Sequence, residues 1–201
     1  AEAMGKLYVE SGYLADDAAL QAMACVKSAE DLSAVHTAVR CVYLPWLDDT
    51  ARHFQQCLLA KDLPTVMQQE AITAAPGECI LFIDGLRFDI GQRLAAMVGE
   101  RQIETSIKWR WAALPTVTAT AKPAVSPIAT ALIGKGMGEE FTPVLTASGQ
   151  ALNHERFKKA LTENGIQFLE NGETGDPGSV SSAWTEWGQF DRLGHDLGAA
   201  M

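Results

Sequence analysis

Apolar residues in the first part of the chain recur three and four positions apart, as in Leu32, Val35, Val39, Val42 and Tyr43. That spacing puts them on one face of an amphipathic helix. Up to about residue 75 the chain is rich in Ala, Leu, Gln and acidic residues and reads as helical throughout. Ser28 followed by Asp31 offers a capped helix start, while Pro45 and Pro64 are expected to break or begin helices. Pro76-Gly77 punctuates the chain, and the pattern then changes. Cys79 to Ile83 is a short apolar run that suits a strand buried on both faces, as in a parallel sheet. Ile90 to Val98 has helical spacing, and Ile107, Trp109 and Trp111 alternate with Lys108 and Arg110 as in a second strand. Ala124 to Ile133 reads as a helix ended by the Gly134-Lys-Gly-Met-Gly run. Residues 154–164 form a further helix closing near Asn164-Gly165, then a strand from Ile166 to Leu169 and a loop, NGETGDPGS, from Asn171 to Ser179. There is no internal repeat.

Strands alternating with helices predict an α/β domain from residue 76 to 201, preceded by a helical segment over 1–75. In such sheets ligands bind beyond the carboxyl ends of the strands, which directs attention to the residues found there.

Composition narrows the function classes. The 201 residues are 47% hydrophobic and 20% charged, the balance of an ordinary globular protein. A net charge of −9 argues against gripping nucleic acid by overall charge, since phosphate contacts need clustered Lys and Arg. No apolar run is long enough to span a bilayer and no leader pattern opens the chain. Cys25, Cys41, Cys57 and Cys79 form no Cys-x-x-Cys pair and sit in apolar neighbourhoods, so buried free thiols and a cytoplasmic location are expected.

Three motifs carry chemistry. In FIDGLRFD, Asp84 closes the first strand, where a carboxylate serves either as a cation ligand or as a cap for the next helix. In LPTVTATAKPAV, Leu114 to Val125, the hydroxyls of Thr116, Thr118 and Thr120 lie near a helix start; each could cap it, or act as a nucleophile if its pKa is lowered. In FDRLGHDLG, Asp191 and His195 are four apart and could approach one cation, or be a cap and a surface imidazole. His36 and His53 stand alone on helices, and His154 lies in an exposed helical setting. GKGMGEE, Gly134 to Glu140, follows a helix rather than a strand and does not read as a phosphate-binding loop.

Taken together and in this order, FIDGLRFD, LPTVTATAKP and DRLGHDLG resemble the PglZ domain, a member of the alkaline phosphatase superfamily associated with BREX phage-defence systems. The resemblance covers residues 76–201, and YLPWLDD, Tyr43 to Asp49, resembles the region preceding that domain. It implies an alkaline phosphatase-like, mostly parallel sheet with flanking helices, and a two-metal phosphoryl-ester hydrolase. On that pattern Asp84 and Thr118 hold one metal, Asp191 and His195 the other, and Thr118 is the nucleophile, with Thr116 the alternative. The metals are usually zinc, with manganese or magnesium in some branches. Arg87 and Lys122 are candidates for contact with the phosphoryl group. The implied partners are a phosphoryl ester, with DNA suggested by the defence context, and other proteins of the defence system. A non-catalytic scaffold keeping the same fold is the alternative. The superfamily also uses a later Asp-His pair and a further His; neither occurs before Met201, so the chain reads as the first part of a longer domain.

Overall fold

The computed structural model describes residues 1–59, 71–113, 116–135, 142–176, 178 and 180–197. Pro64, residues 136–140 of the glycine-rich run and the side chain of His195 lie outside that description. The chain divides into two compact units: Ala1–Leu63 with Arg87–Trp109, and Pro64–Leu86 with Arg110–Met201.

The first unit is helical. Helix α1, Glu2–Leu7, runs through a π-helical turn, Tyr8–Gly12, into α2, Tyr13–Ala24. Helix α3, Ala29–Leu59, begins as the capping pattern predicts, with the Asp31 amide donating to Ser28 Oγ at 3.1 Å. Pro45 does not break it. The carbonyl orphaned by the missing N–H belongs to Cys41, an exposed residue, so water can replace the lost bond. Helix α4, Phe88–Glu100, belongs to the same unit and packs on α2, with Phe88 meeting the rings of Tyr8 and Tyr13.

Asp16 of α2 is buried and accepts from two phenols, Tyr8 at 2.6 Å and Tyr43 at 2.5 Å. The Arg-x-Asp pair of the first motif lies alongside: Arg87 Nε and a terminal nitrogen meet the two carboxylate oxygens of buried Asp89 at 3.0 and 3.2 Å, and Arg87 lies 3.9 Å from Asp16. One guanidinium therefore faces two buried carboxylates, which offsets the desolvation that either would suffer alone. Burial and the bond to Asp16 push the Tyr8 phenol well above its ordinary pKa, and the same two causes raise Tyr43.

The second unit is mixed α/β. Strand β1, Cys79–Ile83, forms where the apolar run predicts it. The run Thr118–Ala124 is helix α5, and a 3-10 turn, Ala129–Ala131, leads into β2, Leu132–Lys135. Strand β3, Thr142–Leu145, follows, then α6, His154–Glu163, β4, Ile166–Leu169, β5, Ser182–Trp187, and α7, Gln189–Leu197. A three-stranded sheet has the order β1-β5-β4 with both pairings parallel, Cys79 opposite Ala183 and Ile166 opposite Ser182. Strands β2 and β3 form a separate antiparallel pair.

The core gathers on one side of β5. Trp184 is fully buried, stacked on Phe82 at 5.9 Å and edge-on to Phe157 at 5.6 Å, with Ile128, Leu132, Leu161 and Ile166 around it. Aromatic burial of this size dominates the energetics of a small sheet.

Several expectations are corrected. Residues 103–113 take no regular structure, despite the alternation of Ile107, Trp109 and Trp111, because alternation makes a strand only within a ladder and the described ladders run elsewhere. Arg110 instead reaches the carbonyl of Ala124 at 3.2 Å, at the end of α5. The helix expected over Ala124 to Ile133 is a chain of turns ending in β2, since Pro123 and Pro127 limit regular helix there. Gly134 and Lys135 accordingly lie in a strand. Strand β1 is at a sheet edge rather than buried on both faces, and Leu81 is 53% exposed. Cys25, Cys41 and Cys79 are exposed and Cys57 half-buried, because apolar neighbours in sequence do not by themselves bring packing partners onto a thiol.

Candidate functional site

The carboxyl ends of β1 and β5 bring two of the motifs side by side. The parallel ladder runs one residue past β1, with the Asp84 amide donating to the Trp187 carbonyl at 3.0 Å. Asp84 thus leaves β1 at the level where β5 turns into α7, and Asp191 lies in the first turn of that helix. Gly85 makes the approach close. Its φ is +72°, and a Cβ there would stand 3.0 Å from the Asp191 amide nitrogen and 3.2 Å from its Cα. Only glycine combines that backbone angle with that contact without strain.

The third motif joins through its hydroxyl. Thr118, the first residue of α5, lies with Oγ1 3.0 Å from Asp84 Oδ2 and 3.2 Å from Oδ1. Thr120 is buried and donates to the Val117 carbonyl at 2.9 Å, an ordinary use of a helical threonine. Thr116 is exposed and precedes the helix. The hydroxyl of Thr118 therefore meets the Asp84 carboxylate, and its exposure leaves it open to a reactant.

No family model, curated protein or solved structure matches this chain.

Asp191 and His195 are four apart in the sequence of α7. Lys122 Nζ pairs with Glu186 of β5 at 3.0 Å and lies 5.2 Å over the Phe157 ring. Glu186 also accepts from the Trp184 indole at 3.0 Å, so it is held from two sides. Arg87 belongs to the first unit, where Asp89 and Asp16 take its guanidinium.

Among the described residues no three or more His, Cys, Asp and Glu side chains gather as a metal cage. The donor chemistry at Asp84 does suit a cation. A carboxylate and a hydroxyl side by side are the oxygen donors that hard and borderline divalent ions take. His154, set aside in the sequence as an exposed helical residue and exposed here, borders a cleft that Thr118 also lines. Its only signal was its position directly after Asn153, whose side chain accepts the Arg156 amide and fixes the start of α6.

Proposed function

We propose that this chain carries part of the active site of a metal-dependent phosphoryl-ester hydrolase of the PglZ type, with the alkaline phosphatase-like fold, acting in phage defence. The observation that carries the reading is the Thr118 hydroxyl against Asp84 at the carboxyl edge of a parallel sheet. The close approach of Gly85 to Asp191 adds the second acidic motif to the same edge.

Thr118 is the nucleophile. Its Oγ1 bonds to phosphorus as the bond from phosphorus to the ester oxygen breaks, and the threonine proton ends on the departing alcohol. Water then bonds to phosphorus, the bond to Oγ1 breaks, and Thr118 recovers a proton from that water. Asp84 accepts the hydroxyl hydrogen bond and so orients the attacking oxygen.

Electrostatics argues for a cation in this chemistry. A carboxylate and a phosphoryl charge about 4 Å apart repel by roughly 4 kcal/mol in a partly solvated site. Lys122 already faces Glu186, so its charge does not relieve that repulsion. Two divalent ions, zinc or else manganese or magnesium, would neutralise the phosphoryl oxygens and lower the hydroxyl pKa; Asp84 with Thr118, and Asp191 with His195, are the residues that would hold them. The substrate is a phosphoryl ester, with DNA among the candidates from the defence context alone.

The deciding experiment is Thr118→Ala in the complete protein supplied with zinc. Hydrolysis of a phosphoryl ester should be lost while the circular dichroism spectrum is kept; an unchanged rate removes Thr118 as nucleophile.

A second reading, a non-catalytic scaffold of a defence complex, is favoured by one observation. The α2 and α3 helices border an apolar groove of alanines with Val42 and Trp46, and Val42 is 76% exposed. A complete protein that binds no divalent ion would favour the scaffold.

A further inference from the structure

Thr118 borders more than Asp84. It also lines an open cleft of about 260 Å³ whose wall includes Ala119 and Lys122 of α5, Pro143 of β3, and His154 and Phe157 of α6. The lining is mostly apolar, and Phe157 and Pro143 are buried behind it.

Charge decides what such a cleft accepts. Its described lining holds two ionisable side chains, Lys122 and His154. The ammonium of Lys122 is answered by Glu186 at 3.0 Å and rests over the Phe157 ring. A second anionic group entering here would find no uncompensated lysine or arginine in the described lining and would lose part of its water. Size decides the rest. Pockets for drug-sized ligands run from about 300 to 1,000 Å³, so this one has room for a single ring-sized group. His154 is exposed and lines the cleft, its imidazole perpendicular to the Phe168 ring at 5.7 Å, and supplies an aromatic side chain beside such a ring.

We propose that this cleft holds the organic group of the ester that Thr118 attacks, and that this group is uncharged, apolar and about one ring in size. The inference rests on the reading of Thr118 as nucleophile. It names the substrate class as phosphoryl esters of small ring-bearing alcohols, with His154 and Ala119 as specificity-determining residues.

The test uses the complete, zinc-supplied protein and compares kcat/KM for benzyl, para-carboxybenzyl and methyl phosphate. Benzyl phosphate should exceed methyl phosphate by about tenfold or more, as apolar pocket contacts usually give. The carboxylate should return the rate towards that of methyl phosphate. Ala119→Leu, at an exposed helical position, should shrink the benzyl-to-methyl ratio towards one. Equal rates for benzyl and methyl phosphate in the unaltered protein overturn the proposal. A binding measurement separates it from the hydrolase reading: benzyl alcohol should shift the nuclear magnetic resonance signals of the Ala119 methyl and the His154 imidazole. Both signals shifting in a protein that hydrolyses no ester supports the cleft and removes the hydrolase. Hydrolysis without benzyl preference, and without those shifts, supports the hydrolase and removes the cleft.

Discussion

The Thr118 hydroxyl lies 3.0 Å from a carboxylate oxygen of Asp84, a residue 34 positions earlier in the chain. One residue comes from the first turn of α5 and the other from the end of β1, so their meeting is a property of the fold. A hydroxyl held against a carboxylate is oriented, yet it stands in a field that repels phosphate. The proposed function depends on a cation that resolves this conflict.

Asp84→Asn tests that dependence directly. The amide keeps the shape and an acceptor oxygen but loses the charge. Divalent-ion affinity of the complete protein, measured by calorimetric titration, should fall by about 10-fold or more, and hydrolysis with it. Affinity equal to that of the unaltered protein would place any bound ion elsewhere.

Gly85→Ala should destabilise the second unit by about 2 kcal/mol or more. Part of that is the left-handed backbone angle, which costs an alanine roughly 1–2 kcal/mol. The remainder is the 3.0 Å contact with the Asp191 amide. Gly172→Ala is the comparison, because Gly172 has φ +92° and open space where a Cβ would go. Urea unfolding of the two variants should differ by the Asp191 contact; equal losses would mean that the contact relaxes freely.

Tyr8→Phe should alter the alkaline limb of stability. The phenol is ordinarily half-ionised at pH 10.0, and in the folded protein burial and the bond to Asp16 push it higher. Below pH 10 the proton is bound in both states and the full contribution is present. Above it the unfolded chain loses its proton first, so stability falls as pH rises. The difference in unfolding free energy between the unaltered protein and Tyr8→Phe, taken by urea titration, should shrink from pH 10 upward. Tyr43 is raised in the same direction and keeps a smaller alkaline slope in the variant. A difference constant with pH would remove Tyr8 from the linkage.

Trp184→Ala should cost about 3–5 kcal/mol, because the side chain is fully buried between Phe82 and Phe157. It also frees one side of Glu186, the partner of Lys122. Circular dichroism during urea unfolding reads the loss, and a cost under about 1 kcal/mol would mean that the core closes over the gap.

Elements held by local rules were legible in the chain. Cys79–Ile83 forms its strand, Ile166–Leu169 forms another, and α6 starts and stops around the residues that its caps dictate. The Ser28 start of α3 was likewise written in four residues. Elements decided by distant neighbours were not. Strand β5 occupies the middle of the sheet, yet Ser-Ala-Trp-Thr-Glu-Trp has too little alternation to announce itself. Conversely, residues 107–111 alternate well and form no strand, since none of the described ladders includes them.

The candidate site divides along the same line. The sequence by itself determined which residue types stand at the strand ends and helix starts: Asp84, the threonines of α5, and Asp191 with His195. Local backbone preference and burial periodicity act over a few residues, and a chain records them directly. Tertiary structure decided that Thr118 meets Asp84 while Thr120 turns inward, that Gly85 lies against Asp191, and that Lys122 is answered by Glu186. Those outcomes follow from strand order and from helix placement on the sheet. Like the packing of Trp184 and its neighbours, they join segments far apart in the chain and leave no local pattern.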